Sequence, residues 1–421
     1  MTGATTRTIR TTRAERYDVA VTGLGLLTPA GIGVAANEAR VWSGESTATR
    51  DEALAGLPVD FSCRVPGFDP VALLGRRNAL RMDRVSQLGV AAARQAVADA
   101  GLDPAAWDGA RVGVVIGTSF GGAASFEREY DSFVQGGASV VSPQLMVKAP
   151  VNMTAGYIAM DCQALGPNQV VSSACASGTT AIGYGRMLLE SGACDIVLAG
   201  GAEAALTPTG MASLYRMGAL SRRGHAPAEA SRPFDADRDG FVAGEGAGVL
   251  VLERLADARA RRARIHARIS GFGASADGHH PSAPHPGGEG AERAVRAALA
   301  DACLPAREVA HVNAHGTSTP LNDVTESRMI GRVFGERPPA VTSAKGVIGH
   351  LIGAAGAVEA AYTVLAVARG SVPPTANLGG VDPEIEADVV AKEARPTAIG
   401  AAVSNSFGFG GQNAVVVVTA A

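Results

Sequence analysis

Continuous runs of apolar residues recur along this chain and end at short turns rich in glycine and other small residues. Residues 196–198 and 415–417 are uninterrupted apolar runs, which is typical of strands covered on both faces in a parallel sheet. Residues 179–190 differ, because their apolar positions recur at helical spacing. The alternation of such strands and helices predicts an α/β fold.

Two segments of the first half of the chain have counterparts in the second half. Residues 112–119 resemble the strand that ends at residues 316–318, and residues 246–252 resemble residues 411–417. The spacing between these segments is about thirty residues longer in the first half. We assign part of the excess to residues 120–150, which are rich in Gly, Ser and aromatic side chains. The pattern predicts two similar βαβ-rich halves.

The ends of these halves can be placed on the sequence. The first sixteen residues are rich in Thr and Arg and lack the apolar segment of a secretory signal, so we expect residues 1–16 to be a disordered tail. We expect residues 17–260 to form the N-terminal half, with the extra segment as a dimer or pocket insertion. Residues 261–421 then form the C-terminal half, and the junction lies near residues 261–265.

Composition and charge exclude several classes of protein. No uninterrupted apolar run approaches the roughly 18 residues that a membrane span requires, and a net charge of −3 gives no reason to expect nucleic-acid binding. The five cysteines are scattered, odd in number and without the paired spacing of a metal site, so we expect reduced thiols. These features favour a cytoplasmic enzyme with neither membrane nor nucleic acid as partner.

One cysteine lies at a junction where reactive groups are common. Residues 170–178 read Val-Val-Ser-Ser-Ala-Cys-Ala-Ser-Gly, which predicts a strand, a tight turn and a helix with Cys175 in its first turn. Unpaired N–H groups and the helix dipole favour a thiolate there. The same N–H groups can stabilise the oxyanion that forms when the sulfur attacks a carbonyl. Taken alone, the segment fits a small cysteine buried beneath a turn equally well.

Two histidine motifs downstream favour the reactive thiol. His315 follows the strand-like residues 309–314, and His350 precedes the glycine- and alanine-rich residues 353–356. Each lies where a predicted strand gives way to a turn, the usual location of reactive groups in α/β folds. A cysteine with distant histidines is typical of a thiol nucleophile with acid–base partners. Lys345, one of three lysines among 37 basic residues, suggests that a compact ammonium group matters beside the second motif.

Together these motifs resemble those of the β-ketoacyl-acyl-carrier-protein synthases. The resemblance rests on SSACASG around Cys175, HGTSTPLND from His315, SAKGVIGHLIGAAG around His350, and NSFGFGG from Asn405, in that order. It covers about residues 18–418 and is strongest for the elongating, Cys-His-His branch, which includes the ketosynthase subunits of type II polyketide systems. The resemblance implies a thiolase-like fold whose duplicated halves form a layered α-β-α-β-α architecture.

The resemblance also implies a role for each motif. Cys175 would hold the acyl chain as a thioester, and His315 and His350 would stabilise the enolate formed when malonyl-carrier-protein loses CO2. Lys345 would set the charge around His350, with Glu326 as its expected partner. Asp323 is a second, weaker candidate for the same network.

The remaining implied contacts surround the substrate. The N–H groups of Cys175 and Phe409 would form the oxyanion hole, and Phe409, flanked by glycines, would act as a gate between the acyl pocket and malonyl entry. Thr317, Thr319 and Ser282 are expected to contact the pantetheine arm of the carrier protein. The resemblance implies no cofactor, because the substrates arrive on that phosphopantetheine arm.

We expect no metal site. His279, His280, His285 and Asp277 could ligate an ion, but they lie in a Pro- and Gly-rich loop without supporting polar groups.

The implied partners are an acyl carrier protein and a second subunit. Arg76, Arg77, Arg81 and Arg84 form a cluster that would attract an acidic carrier protein, and residues 120–150 would form the contact between subunits. Members of the polyketide branch pair with a chain-length-factor homologue, whereas fatty-acid members pair with themselves. We expect the heterodimer, and with it a function in type II polyketide chain elongation.

Three other kinds of protein share parts of this sequence pattern. A fatty-acid elongating synthase that acts as a homodimer stays open, because the motifs define the chemistry and not the acyl pocket. A catalytically silent chain-length-factor subunit is disfavoured, because such subunits lack the nucleophile that Cys175 supplies. A thiolase would need a second reactive cysteine near the C-terminus, but the last cysteine is Cys303.

Overall fold

Residues 18–421, the part of the chain that the computed structural model describes, form a mixed α/β structure. The strands are β1 (Val19–Thr28), β2 (Gly31–Ile32), β3 (Thr49–Arg50), β4 (Phe61–Ser62), β5 (Val112–Gly117), β6 (Asn168–Val171), β7 (Ile196–Glu203), β8 (Gly246–Arg254), β9 (Ala267–Ala276), β10 (His311–Asn313), β11 (Ala340–Thr342), β12 (Ser371–Val372), β13 (Arg395–Pro396), β14 (Ala401–Gly408) and β15 (Gln412–Thr419). The α-helices are α1 (Val34–Ser43), α2 (Pro70–Leu74), α3 (Arg76–Arg81), α4 (Arg84–Asp99), α5 (Ala123–Gly136), α6 (Leu145–Lys148), α7 (Met153–Asp161), α8 (Ser177–Glu190), α9 (Pro208–Arg216), α10 (Leu255–Ala260), α11 (Glu289–Asp301), α12 (Pro320–Phe334), α13 (Lys345–Ile348) and α14 (Ala355–Arg369). The tail predicted at residues 1–16 lies outside the described residues.

The strand order shows that the two halves are alike. The large sheet runs β6-β5-β7-β8-β1-β9-β15-β14-β10-β11, with β2 paired to β1. Divided between β1 and β9, each half has the same order: its third, second, fourth, fifth and first strand. The segments that looked alike in sequence occupy equivalent places, since β5 corresponds to β10 and β8 to β15. The prediction of two similar halves is confirmed.

The two halves pack around a shared pair of helices. The helices α8 and α14 contact each other and contact strands from both halves, so they lie between them. On the outer faces, α4 and α7 pack on strands of the first half, and α11 packs on β9 and β15 with α12 beside it. This is the predicted α-β-α-β-α layering, and each helix face that meets a sheet buries apolar surface.

The central helix α14 is apolar on nearly every side. Among the described residues, Ile352–Arg369 is the one helical segment with the length and apolarity of a membrane span, and 89% of it is buried inside the protein. A helix enclosed between the two halves of the sheet has no face in water, so it lacks the polar stripe of a surface helix. Its composition is that of a core helix.

The parallel strands set the position of the functional residues. In the first half β5 pairs in parallel with β6 and β7, and in the second β10 pairs in parallel with β11 and β14. Parallel strands end at a common edge, where loops and helix starts converge. Cys175 follows β6, His315 follows β10, and Lys345 and His350 follow β11. Phe409 follows β14 at the same edge of the second half.

The extra segment of the first half contains two helices without counterparts in the second. Residues 120–150 carry α5 and α6 between β5 and α7, whereas only α12 lies between β10 and β11. Several large apolar side chains of this segment are solvent-exposed, among them Phe126, Tyr130, Phe133, Val134 and Met146. A cluster of this kind is typical of an interaction surface.

Candidate active site

Cys175 lies in a tight turn between β6 and α8. The helix begins at Ser177, so the prediction that Cys175 lies in its first turn is wrong by two residues. The reason is local: Ser177 Oγ accepts a hydrogen bond from the Ser173 N–H (2.9 Å) and donates to the Ala174 carbonyl (2.6 Å), which closes a turn before the helix starts. Ala174 has a φ of 48°, a conformation that costs about 1–2 kcal/mol for a residue with a Cβ.

The surroundings of the Cys175 sulfur differ from the expectation of a favoured thiolate. Burial raises the pKa of the Cys175 thiol to about 11, although the Lys345 ammonium and a hydrogen bond from the Phe409 N–H lower it. Desolvation therefore outweighs the donors that face the sulfur. A thiol in this state needs a neighbouring base to take its proton when it attacks.

His315 and His350 lie together, with their ring centroids 5.4 Å apart and their planes at 83°. The N–H groups of His315 and Gly316 donate to Glu326 at 2.9 and 2.8 Å, and the His350 N–H donates to the Val242 carbonyl at 2.7 Å. These backbone hydrogen bonds fix both histidines beside the ends of the strands. Burial, followed by the Lys345 ammonium, holds the pKa of both imidazoles well below the usual value, so both rings are neutral at pH 7.

Lys345 is fully buried and pairs with a residue that the sequence analysis missed. Its Nζ lies 2.5 Å from Glu359 Oε1 and donates to the His315 carbonyl at 2.6 Å. The prediction that Glu326 is its partner is wrong, because Glu326 is occupied by the N–H groups of the His315 turn and by Asn405 Nδ2. A signal for Glu359 was present in the sequence, since it is the only charged residue in the apolar residues 352–368, and buried carboxylates are rare unless paired.

The Lys345 ammonium group also determines which ring nitrogen of His315 carries the proton. Nζ of Lys345 lies 3.4 Å from His315 Nδ1, and an ammonium can only donate. The Nδ1 atom is thereby assigned as an acceptor, which leaves the proton of the neutral ring on Nε2. Lys345 was expected to act on His350, but its direct contacts are with His315.

Cys175, both histidines, Glu326 and Phe409 line one cavity of about 760 Å³. Thr317, Thr319 and Ser282, the expected pantetheine contacts, lie on its wall as well. The Thr317 and Thr319 hydroxyls are 2.8 Å apart and hydrogen-bond to each other. Lys345 is not part of the wall; it lies behind His315 and acts on the cavity through that residue.

The other charged residues singled out in the sequence have structural partners. Asp323 accepts from the N–H groups of Phe234 and Ser318 at 2.9 and 3.2 Å and does not join the Lys345 pair. Arg84 forms a bidentate pair with Glu245, which removes it from the expected arginine surface. Arg76, Arg77 and Arg81 are exposed.

The histidine-rich loop forms bonds of its own. His280 Nδ1 accepts from the Ser282 and Ala283 N–H groups at 3.1 and 3.0 Å, and His285 pairs with Glu289. Within residues 18–421, no three His, Cys, Asp or Glu side chains are grouped as metal ligands.

Comparisons with known proteins agree with this site. Residues 16–258 match the model of the β-ketoacyl synthase N-terminal domain, and residues 266–379 match that of the C-terminal domain. The chain is 42% identical over 408 residues to 3-oxoacyl-(acyl-carrier-protein) synthase 2 of Synechocystis sp., an alignment that covers 95% of this chain and 97% of the relative. The chain therefore belongs to the β-ketoacyl synthase family, and it is an acyl-transferring condensing enzyme.

Two solved structures extend the comparison. The ishigamide ketosynthase/chain length factor superposes with a TM-score of 0.91 at 36% identity, over 96% of this chain and 100% of that one. A type II polyketide synthase acyl-carrier protein in complex with its ketosynthase bound to the hexaketide gives a TM-score of 0.88 at 30% identity, with the same coverage. Both are similar to this chain in fold and share close to a third of its residues.

The buried ion pair predicts an unusual stability profile. Lys345→Met should lower the free energy of unfolding by about 3–5 kcal/mol at pH 8, because it leaves the Glu359 carboxyl buried without its cation. Burial already raises the pKa of Glu359 to about 7, and the substitution raises it further. The folded variant then holds a proton that the unfolded chain releases, so its deficit relative to wild type should grow as pH rises from 6 to 9. Chemical denaturation at several pH values measures this.

The matched control is Arg328→Met, which breaks an exposed pair with Glu384 and should cost about 0–1 kcal/mol. A deficit for Lys345→Met that is equally small, or that does not change with pH, would show that the pair is not the constraint described.

Proposed function

We propose that this β-ketoacyl synthase extends chains in a type II polyketide pathway, with Cys175 as the nucleophile and His315 and His350 as the groups that activate the malonyl unit. The observation that carries the proposal is one cavity whose wall contains both a cysteine, hydrogen-bonded at its sulfur by the Phe409 N–H, and two neutral imidazoles. The two halves of the reaction, acyl transfer and decarboxylative condensation, follow from this arrangement.

Acyl transfer begins when Cys175 attacks the thioester of an acyl carrier protein. The thiol proton passes to the neutral imidazole of His350, because Nδ1 of His315 already accepts from Lys345 and its Nε2 carries a proton. A bond forms between sulfur and the acyl carbon, and the bond to pantetheine sulfur breaks. The departing pantetheine thiolate takes the proton back. The N–H groups of Cys175 and Phe409 stabilise the negative oxygen of the tetrahedral intermediate, a contribution typically worth several kcal/mol.

Condensation uses the same cavity with a malonyl thioester. Loss of CO2 leaves an enolate, whose oxygen accepts from imidazole N–H groups. His315 is suited to this role because Lys345 occupies its Nδ1 and leaves the Nε2 proton to donate. The enolate carbon then attacks the acyl thioester, a C–C bond forms, and the bond to Cys175 breaks. The departing Cys175 thiolate takes up one proton from solvent, which balances the loss of the malonyl carboxylate as neutral CO2.

The substrates supply their own carrier. Thr317, Thr319 and Ser282 on the cavity wall have hydroxyl groups suited to the amides of a pantetheine arm. The thiol, the two imidazoles and the backbone N–H groups supply every group that these two steps use, and we propose that no dissociable cofactor takes part.

The acyl chain has a second space to enter. Phe120 lies on the wall of the catalytic cavity and also on that of a second cavity of about 650 Å³, lined by Phe126, Tyr130, Leu145 and Met146 among others. This second cavity belongs to the extra segment, whose apolar side chains are exposed in the single chain. A partner subunit that covers the segment would enclose the growing chain.

Two candidate functions differ in the identity of that partner subunit. The solved ketosynthase/chain length factor relative supports a heterodimer, whereas the identity to 3-oxoacyl-(acyl-carrier-protein) synthase 2 supports the alternative of a fatty-acid elongating synthase, for which we expect a homodimer. The presence of Cys175 disfavours the third possibility, a silent chain-length-factor subunit.

The division of labour between the histidines and the cysteine is testable by half-reactions. His315→Ala should slow condensation by about 10²–10³-fold, the usual cost of losing one donor to a developing oxyanion, while acyl transfer to Cys175 is slowed less, because His350 is still present to take the thiol proton. Intact-protein mass spectrometry measures acyl loading, and product formation from malonyl-carrier-protein measures condensation. Cys175→Ala should form no acyl adduct and retain decarboxylation.

The exposed His225, replaced by Ala, is the matched control and should change neither half-reaction. Equal losses in both half-reactions for His315→Ala would argue against the assigned role.

Carrier-protein docking is expected at the exposed arginines of α3. The double variant Arg76→Glu/Arg77→Glu should raise the KM for acyl carrier protein by about 10-fold at low salt and flatten its salt dependence, because like charges replace attraction to an acidic partner. Alkylation of Cys175 by iodoacetamide should be unchanged. The control for a charge reversal is the exposed Arg307, which lies near the start of β10 and so at the opposite edge of the sheet. An equal rise in KM for Arg307→Glu would contradict the assigned docking surface.

The subunit composition separates the two pathways. Light scattering and acyl loading should be measured on the chain purified alone and on the chain co-expressed with a chain-length-factor homologue. We expect efficient loading only in the 1:1 complex, because the second cavity is open in the isolated chain. A stable and fully active homodimer would overturn the heterodimer and favour fatty-acid elongation.

A further inference from the structure

Glu203 is a fully buried acidic residue that the reaction described above does not use. It is the last residue of β7, the strand next to β5 in the sheet. Its carboxylate accepts from the Ser119 N–H at 2.7 Å, the Gly353 N–H at 3.2 Å and the Phe120 N–H at 3.4 Å, and from the Thr118 hydroxyl at 3.3 Å. Every one of these donors is neutral.

A carboxylate with this set of partners is costly to bury. Within residues 18–421 no Lys, Arg or His forms an ion pair with Glu203, and burial raises the pKa of its carboxyl to about 7. An amide of the same length would offer one acceptor oxygen and turn its NH2 group towards other donors. Only a carboxylate can accept from all four groups, so the cost of burial points to a role that needs those four bonds.

The hydrogen bond from the Ser119 N–H connects Glu203 to the turn that contains Cys175. Ser119, whose N–H is held by Glu203, donates its hydroxyl to the Ala174 carbonyl at 3.0 Å. Ala174 is the residue with a φ of 48° directly before Cys175. Its carbonyl is thus held by Ser177 from one side and by Ser119 from the other. The position of Ser119 is in turn set by Glu203.

The hydrogen bond from the Gly353 N–H connects Glu203 to the turn that follows His350. The N–H of Gly353 reaches the same oxygen, Oε2, that accepts from Ser119. A Cβ at residue 353 would lie 2.6 Å from the Ser119 nitrogen and 2.7 Å from Glu203 Oε2, so only glycine allows this approach. One carboxylate oxygen therefore joins the segment before Cys175 to the segment after His350.

We propose that Glu203 is a positioning residue that sets the placement of Cys175 relative to His350, acting through Ser119 and the Ala174 carbonyl on one side and through Gly353 on the other. This inference rests on the proposed function, since it assigns Glu203 to the acyl-transfer step of that reaction. Glu203 does not touch the substrate. Its effect is on the direction in which the Cys175 sulfur and N–H face the thioester.

The charge of Glu203 gives a second and opposite effect, which makes the inference testable. Burial is the larger cause of the raised pKa of Cys175, and the negative charge of Glu203 raises it further because it disfavours a thiolate. Replacing the charge should therefore make the thiol ionise more easily, even as loss of the hydrogen bonds misplaces it. Loosening of the fold that admits water to the thiol would also lower its pKa, because burial is the larger cause of the rise, so a variant that keeps the charge and loses the hydrogen bonds is needed to separate the two effects.

The experiment measures two rates on each variant: acyl transfer from an acyl carrier protein, by intact-protein mass spectrometry, and alkylation of Cys175 by iodoacetamide as a function of pH. Glu203→Gln should slow acyl transfer by about 10–10²-fold, the cost of a misplaced reactive group, while the midpoint of its alkylation profile moves to lower pH. Glu203→Asp keeps the charge but cannot span the four donors, so it should lose acyl transfer without that shift. Ser119→Ala should slow acyl transfer with an unshifted profile.

Glu384→Gln, at an exposed ion pair, is the matched control and should change neither rate. The inference is overturned if Glu203→Gln transfers acyl groups within twofold of wild type, or if its alkylation midpoint fails to fall. Should Glu203→Gln not fold, Ser119→Ala decides, and a wild-type acyl-transfer rate in that variant overturns the inference. Failure of the wild-type enzyme to load any acyl group would instead contradict the proposed function, while the alkylation profiles would still report the influence of Glu203 on Cys175.

Discussion

The buried pair of Lys345 and Glu359 is the constraint on which the rest of the active site depends. A single ammonium group, held by a carboxylate from the central helix α14, reaches the carbonyl and Nδ1 of His315. Burial is the main cause of the lowered pKa of both active-site imidazoles, and the ammonium group lowers it further. A buried pair of this kind gives little net stability, but either partner alone would be strongly destabilising. The pair therefore ties the chemistry of the strand ends to the packing of the helix between the two halves.

Neutral imidazoles suit the reaction of a β-ketoacyl synthase. An imidazolium would already carry the charge that should develop only with the enolate, whereas a neutral N–H donor strengthens its bond as negative charge appears. The same burial that keeps the rings neutral also keeps the Cys175 thiol protonated. The site thus stabilises charge where it forms during the reaction and disfavours it in the resting enzyme.

The duplicated architecture explains why these groups meet. Each half contributes three parallel strands that end at a common edge, and the loops after them supply the thiol from one half and the histidines from the other. The functional residues sit on turns with unusual backbone conformations, such as Ala174, and these turns are held by bonds from buried side chains. Rigid strands bring the turns together, and the side-chain bonds to those turns set their final orientation.

Much of the fold and chemistry of this protein could be predicted from its sequence. Apolar runs, helical spacing and the repeated segments indicated a duplicated α/β fold, and the motifs around Cys175, His315 and His350 identified the family and its chemistry. These features are local: each depends on residues close together in the chain. The extra segment at residues 120–150 was recognised for the same reason, as a difference in spacing between two similar halves.

The sequence did not determine which charges would pair or how strongly burial would act. Glu326 was the expected partner of Lys345, yet Glu359 took that place, because α14 brings its one carboxylate behind His315 while Glu326 binds the backbone of the His315 turn. The state of the Cys175 thiol followed from desolvation and not from its position before a helix. Pairing and desolvation depend on what other parts of the chain place within a few ångströms, and only the tertiary structure decides that.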